Sequence, residues 1–138
     1  MAITQTVCTS FKQELLTGLH NVDTDVIKIA LYTDAATLGA DTTAYTSDNE
    51  VSGTGYSALG VQIETTISTD GGIVFVDFAD ATWANSSFTA RGALIYNDTR
   101  SRAAIMTLDF GDNKTSNNST FAVTMPAGTS TTALLRIT

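Results

Sequence analysis

Val26-Ile27-Lys28-Ile29-Ala30-Leu31-Tyr32-Thr33 is the stretch that decides the fold class. Ile27, Ile29 and Leu31 alternate with Lys28, Ala30 and Tyr32, the two-residue period of a strand that lays one face on a core. Downstream, 61–67 and 73–78 flank Asp70-Gly71-Gly72, whose glycines can supply the positive φ of a tight hairpin. In the second of these runs Val74, Val76 and Phe78 share one face, and Ile73, Phe75 and Asp77 the other. Further strands are expected at 88–96, 103–110, 120–125 and 132–137, separated by the turn-forming runs Asn97-Asp98, Gly111-Asp112-Asn113-Lys114 and Pro126-Ala127-Gly128. Many short strands at such spacing, with the single proline closing one of them, predict a mainly β, antiparallel β-sandwich or jelly-roll-like fold.

One short N-terminal helix precedes the strands. Ser10-Phe11-Lys12-Gln13 reads as a capping box, after which Phe11, Leu15, Leu16 and Leu19 fall on one helical face and Asn21 offers a stop. Residues 1–9 lie before that cap and read as an N-terminal arm with little to pack on. Residues 10–138 then form one β-rich domain, the usual size for a single core. Between the first strand and the hairpin, residues 34–54 are rich in Ala, Thr, Ser, Asp and Gly without a sustained period. Such an excursion is a place where binding residues gather.

The composition narrows the function classes. Hydrophobic residues make up 43% and charged residues 15%, which is the balance of a folding chain and not of a disordered one. Fourteen acidic against seven basic side chains give a net charge of −7, which repels phosphate and argues against nucleic acid and anionic membranes as partners. No apolar run approaches the roughly 20 residues of a membrane helix. The start, MAITQTVCTSFKQELL, shows no basic segment followed by an unbroken apolar one, so synthesis without export is expected. Cys8, the only cysteine, cannot form an intramolecular disulfide or a multi-cysteine zinc site and reads as a small packed apolar residue.

Few groups suggest catalysis. Any triad would depend on His20, the sole histidine, which falls at the expected helix end where a histidine commonly meets the last carbonyls. Acids such as Asp23, Asp25, Asp48, Asp70, Asp98 and Asp112 sit in turns, where they cap backbone N–H groups. Two oxygen-rich clusters, Asp109 with Asp112 and Asn113, and Ser47 with Asp48 and Glu50, have the chemistry of calcium ligands but not the spacing of a known calcium loop. No catalytic residue, cofactor or metal is assigned.

Five phrases carry a resemblance: Ser10-Phe-Lys-Gln-Glu-Leu-Leu16, Ile29-Ala-Leu-Tyr-Thr33, Asn49-Glu-Val-Ser-Gly-Thr-Gly-Tyr56, Phe88-Thr-Ala-Arg-Gly-Ala-Leu-Ile-Tyr-Asn97 and Leu108-Asp-Phe-Gly111. Together they resemble small structural proteins of tailed bacteriophages. The resemblance implies a non-enzymatic virion component assembled in the host cytoplasm. The first expectation is a capsid decoration or cement protein that binds the major capsid protein and its own copies, with a trimer favoured. Its contacts would come from the arm, through Ile3, Gln5 and Val7. A tail, baseplate or fibre component that recognises a host surface, including its glycans, is the alternative. There Tyr45, Tyr56 and an exposed Trp83 ring would supply the contact. A carboxylate-based polysaccharide hydrolase is the third reading.

Overall fold

The computed structural model describes residues 2–138. It is an antiparallel β-sandwich with one short helix near its N-terminus. The strands are β1 (Thr6–Val7), β2 (Ile27–Tyr32), β3 (Val61–Gln62), β4 (Thr65–Asp70), β5 (Ile73–Phe78), β6 (Ala81–Ser86), β7 (Thr89–Asn97), β8 (Ala103–Thr115), β9 (Ser119–Val123) and β10 (Leu135–Ile137), and the helix α1 spans Thr9–Leu16. They form a five-stranded sheet in the order β1-β8-β7-β2-β3, a three-stranded sheet β10-β5-β4 and a two-stranded sheet β6-β9. One connected hydrophobic core draws on all three sheets and α1.

The deciding stretch forms the strand the alternation predicts, but it is more deeply placed. Ile27, Ile29 and Leu31 are buried on one face, and Ala30 and Tyr32 are buried on the other. The reason is the excursion, which returns along β2. Thr33 N–H donates to the Asn49 carbonyl at 3.0 Å and Val51 N–H to the Leu31 carbonyl at 2.9 Å along the strand edge, and the Tyr32 hydroxyl reaches the Thr46 carbonyl, so the excursion lies against the polar-looking face as well.

The hairpin also forms. Gly71 and Gly72 have φ of 57° and 89°, the left-handed pair of a type I′ turn, and β4 pairs with β5 in unbroken register from Thr65 opposite Phe78 to Asp70 opposite Ile73. The run expected at 61–67 divides, however. Val61–Gln62 pairs with β2, whereas Thr65 onward pairs with β5, so the chain changes sheet at Ile63-Glu64. β6 was not legible, since Ala81-Thr-Trp-Ala-Asn-Ser86 lacks an apolar alternation, and β8 runs five residues past the expected end.

Two local expectations fail. Ser10 lies inside α1 and its hydroxyl donates to the Thr42 carbonyl at 3.4 Å, while the N-cap is Cys8, which makes no side-chain capping bond. The helix also ends before Asn21, at Thr17. Gly18 adopts φ 80°, its N–H reaches the Leu15 carbonyl and Leu19 N–H reaches the Glu14 carbonyl at 3.0 Å, the paired bonds of a Schellman stop. Leu16 is therefore left on the outer face, 90% exposed.

Nor does the segment before the helix stand away as an arm. Thr6 and Val7 pair with Thr107 and Met106 of β8, Thr4 N–H donates to the Leu38 carbonyl at 2.8 Å and Cys8 N–H to the Ile105 carbonyl at 2.9 Å. The edge of β8 offers unpaired backbone groups, and residues 4–8 satisfy them. Met1 lies outside the described residues.

Candidate functional site

The residues expected to bind a partner fall into two places. Along the N-terminal segment, Ile3 is buried and forms a parallel bridge with Leu38. A Cβ added at Gly92 would come within 2.8 Å of the Ile3 Cδ1, so the glycine lets the isoleucine cross the sheet closely. Gln5 is exposed, but its Oε1 accepts from the Asp109 N–H at 3.2 Å. Val7 is half-buried in β1. Of the three, only Gln5 reaches solvent freely enough to touch another molecule.

Tyr45, Tyr56 and Trp83 are brought together, though facing inward. All four tyrosines of the chain direct their hydroxyls onto the excursion or the turn at Leu59 that follows it. Tyr32 donates to the Thr46 carbonyl and Tyr96 to the Leu59 carbonyl, each at 2.6 Å. Tyr45 donates to Glu50 Oε1 at 2.5 Å and Tyr56 to Glu50 Oε2 at 2.6 Å, and the second oxygen also accepts from Leu59 N–H at 2.9 Å. Tyr56 Oη in turn accepts from Leu31 N–H at 2.9 Å, which closes the edge of β2 beyond β3. Burial and the hydrogen bond to Glu50 push the Tyr45 hydroxyl up to about 12. The same two causes raise Tyr56 further, and burial raises Tyr32 and Tyr96. These hydroxyls act as donors that strap a loop down, not as acids or nucleophiles.

Trp83 is 4% exposed, so it packs in the core as large aromatic rings commonly do, and it is not the exposed contact that the tail-component alternative calls for. It stacks on Tyr56 with centroids 6.1 Å apart and meets Phe88 and Phe121 edge-on. A sheet of aromatic side chains fills the space between β6-β9 and β7-β8, so the large ring goes where the area to be buried is greatest. Its indole N–H has no partner among the described residues.

A second polar network ties the helix end to the β7–β8 turn. His20 Nε2 bonds Glu14 Oε1 at 2.9 Å, and its Nδ1 meets Asn97 Nδ2 at 3.0 Å. Asn97 also donates to Asp25 Oδ2 at 2.9 Å, and that oxygen takes Arg100 Nε at 3.1 Å. The ring lies 4.8 Å from that of Phe11. Cys8, fully buried nearby in sequence, has its thiol pushed up to about 11 by burial and by the Glu14 charge, so it is an inert packed group.

The two oxygen clusters are tied into local structure. Asp109 Oδ1 accepts from Arg91 and from Gly111 N–H, Asp112 from Asn113 N–H, and Glu50 holds the tyrosines. Among the described residues, no three His, Cys, Asp or Glu side chains converge as a metal-binding set.

One patch of the outer surface is apolar. Ile67, Val74 and Ile137 project from one face of β4, β5 and β10, exposed by 41%, 37% and 54%, in rows fixed by Ile67 opposite Val76 and Ile137 opposite Val74. Phe11, Leu15 and Val22 border the same face, leaving a groove of about 120 Å³. Sequence reading placed Val74 with Val76 and Phe78 on one face. The strand does alternate, but α1 is too short to cover its outer end.

No family model, curated protein or solved structure matches this chain. The functional reading therefore rests on the geometry and on the sequence phrases. Chemically, the described surface offers a sheet face with a group of exposed apolar side chains, an arrangement suited to attachment.

Proposed function

We propose that this protein is a structural component of a tailed-bacteriophage particle, a capsid decoration or cement protein that binds the head surface and copies of itself. The observation that carries the reading is the uncovered outer end of the apolar β4-β5-β10 face, carried on regular strands instead of a mobile loop. Exposed large apolar side chains grouped on a rigid surface are a recognition feature. The phrases around Asn49–Tyr56 and Phe88–Asn97 support the phage context, and both lie in parts of the chain that build the fold. The polar groups capable of chemistry, His20, Glu50, Asp25 and Asp109, are each held in bonds that stabilise the domain.

Mass spectrometry of purified particles tests the proposal through copy number. Hundreds of copies per particle would place the protein on the head, tens or fewer would place it on the tail and replace the decoration reading, and absence from particles would reject a virion role.

A further inference from the structure

β4 ends the three-stranded sheet, and its outer edge is open. The type I′ turn sets Asp70 and Ile73 as a hydrogen-bonded pair, so Thr66, Ser68 and Asp70 turn their backbone groups toward β5. Ile67 and Thr69 then direct their N–H and C=O groups away from the sheet, and no backbone or side-chain group among the described residues meets them. The other edges are short or irregular: β1 and β3 have two residues, β10 has three, β6 and the five-residue β9 share a register break between Trp83 and Ser86 with Asn85 at φ 51°, and the part of β8 beyond β1 runs through the register shift of its pairing with β7 between Ala90 and Gly92. β4 has six residues, Thr65-Thr66-Ile67-Ser68-Thr69-Asp70, and carries no lysine, proline or bulge, the features that normally keep an edge from pairing.

We infer that β4 pairs antiparallel with β4 of a second copy about a two-fold axis, joining two three-stranded sheets into one of six strands. Charge and backbone geometry select the register. Outward groups at Ile67 and Thr69 require these residues to meet one another across the axis. With Ile67 facing Ile67, Asp70 would lie opposite Glu64, a repulsive acid pair. With Thr69 facing Thr69, Ile67 would meet Gly71 inside the turn. With Ile67 facing Thr69 and Ser68 facing Ser68 on the axis, all the outward groups of both residues are satisfied in each copy, and Asp70 meets the neutral Thr66.

A two-fold perpendicular to the sheet keeps both copies' side chains on the same side, so Ile67, Val74 and Ile137 of each copy merge into one apolar surface. The contact names the self-association in the proposed function and rests on that part of it. It predicts even copy numbers and so replaces the trimer that the phage resemblance favours.

Sedimentation equilibrium of the full chain across micromolar to millimolar concentration should show a reversible monomer–dimer exchange. Ile67→Lys combined with Thr69→Lys should abolish the dimer while leaving the circular dichroism spectrum unchanged. Ser68→Cys should form a disulfide-linked dimer under mild oxidation, because facing non-hydrogen-bonded residues lie within disulfide reach, whereas Thr66→Cys should not. The cysteine pair keeps the test decisive if the lysine variant misfolds. A monomer at every concentration, an odd-numbered assembly, a dimer that survives the lysines, or equal cross-linking at both positions would overturn the inference. A dimer that behaves as described but is missing from particles would refute the virion reading alone.

Discussion

Asn97 fixes the hydrogen-bonding orientation of the His20 ring. Its Oδ1 accepts from Arg100 N–H at 3.2 Å and its Nδ2 donates to Asp25, so the amide cannot flip, and the second Nδ2 hydrogen points at His20 Nδ1. Nδ1 must accept, which leaves the ring proton on Nε2, facing Glu14. One fully buried amide thereby joins the helix end, the β2 entry and the β7–β8 turn. Asn97→Ala strands an imidazole nitrogen and weakens the hold on Asp25, with a cost of about 1–3 kcal/mol. Urea unfolding of the two proteins gives the difference, and nitrogen chemical shifts of the ring report the Nε2–H tautomer.

Asp25 gives the protein an acid limit. Burial acts to raise its carboxyl, but hydrogen bonds from Asn97, Asn21 N–H and Arg100, with the Arg100 charge, outweigh it and hold the group below its ordinary value of 3.8. The folded state therefore binds this proton less readily than the unfolded chain. The resulting stabilisation is complete above pH 3.8 and is lost as the pH falls through the lower folded value. Arg100→Met should lower stability at neutral pH and move the acid-unfolding midpoint upward, because the part of the stabilisation that the arginine supplies is then missing above pH 3.8. Circular dichroism followed from pH 6 to pH 2 reads both, and an unmoved midpoint would remove Asp25 from the account.

Glu50 anchors the 34–54 excursion and the turn that follows it. Its two oxygens receive Tyr45, Tyr56 and Leu59 N–H. Replacement by alanine leaves those donors facing each other in a half-buried site, and a loss of about 2–3 kcal/mol follows from the weight of hydrogen bonds to a charged group. Glu50→Gln retains the shape but presents an N–H₂ to at least one donor, so it should fall between the wild type and the alanine variant. Hydrogen exchange should show the loss at Val51 and Leu59 before it reaches β7.

The strands were legible because alternation and turn residues act locally. Ile27 to Leu31 and the Gly71-Gly72 turn needed no tertiary information. What the sequence hid was set by distant segments. Tyr32 looked solvent-facing until the excursion folded over it. Ser10 looked like a cap, yet Cys8, held by its N–H bond to Ile105, starts the helix instead. Trp83 is the kind of large ring that is buried on average, but which rings it meets, Phe88, Phe121 and Tyr56, was set by β6, a strand without a readable apolar pattern. The exposed row of Ile67, Val74 and Ile137 was unreadable for the same reason: an apolar alternation does not say which of its residues a short helix will cover.

The N-terminal segment gives the sharpest reversal. If residues 1–9 were a free arm, their deletion would remove a partner contact and leave the domain intact. The geometry gives the opposite result. Deletion exposes the β8 edge at Met106 and Thr107, empties the space under Ile3 and Leu38, and removes the bond from Cys8 N–H that starts α1. The truncated chain should melt well below the full chain, and it should do so in the absence of any partner. Ile3→Ala isolates the packing part, with a cost of about 2–4 kcal/mol. Gly92→Ala tests it from the other side, since the new Cβ would lie 2.5 Å from the Leu108 carbonyl oxygen and 2.8 Å from Ile3 Cδ1. The two variants should both destabilise, and in combination they should lose less than their sum, because the shortened side chain of the Ile3→Ala variant no longer meets the added methyl. Additive losses in thermal or urea melts would mean that the segment does not pack across Gly92.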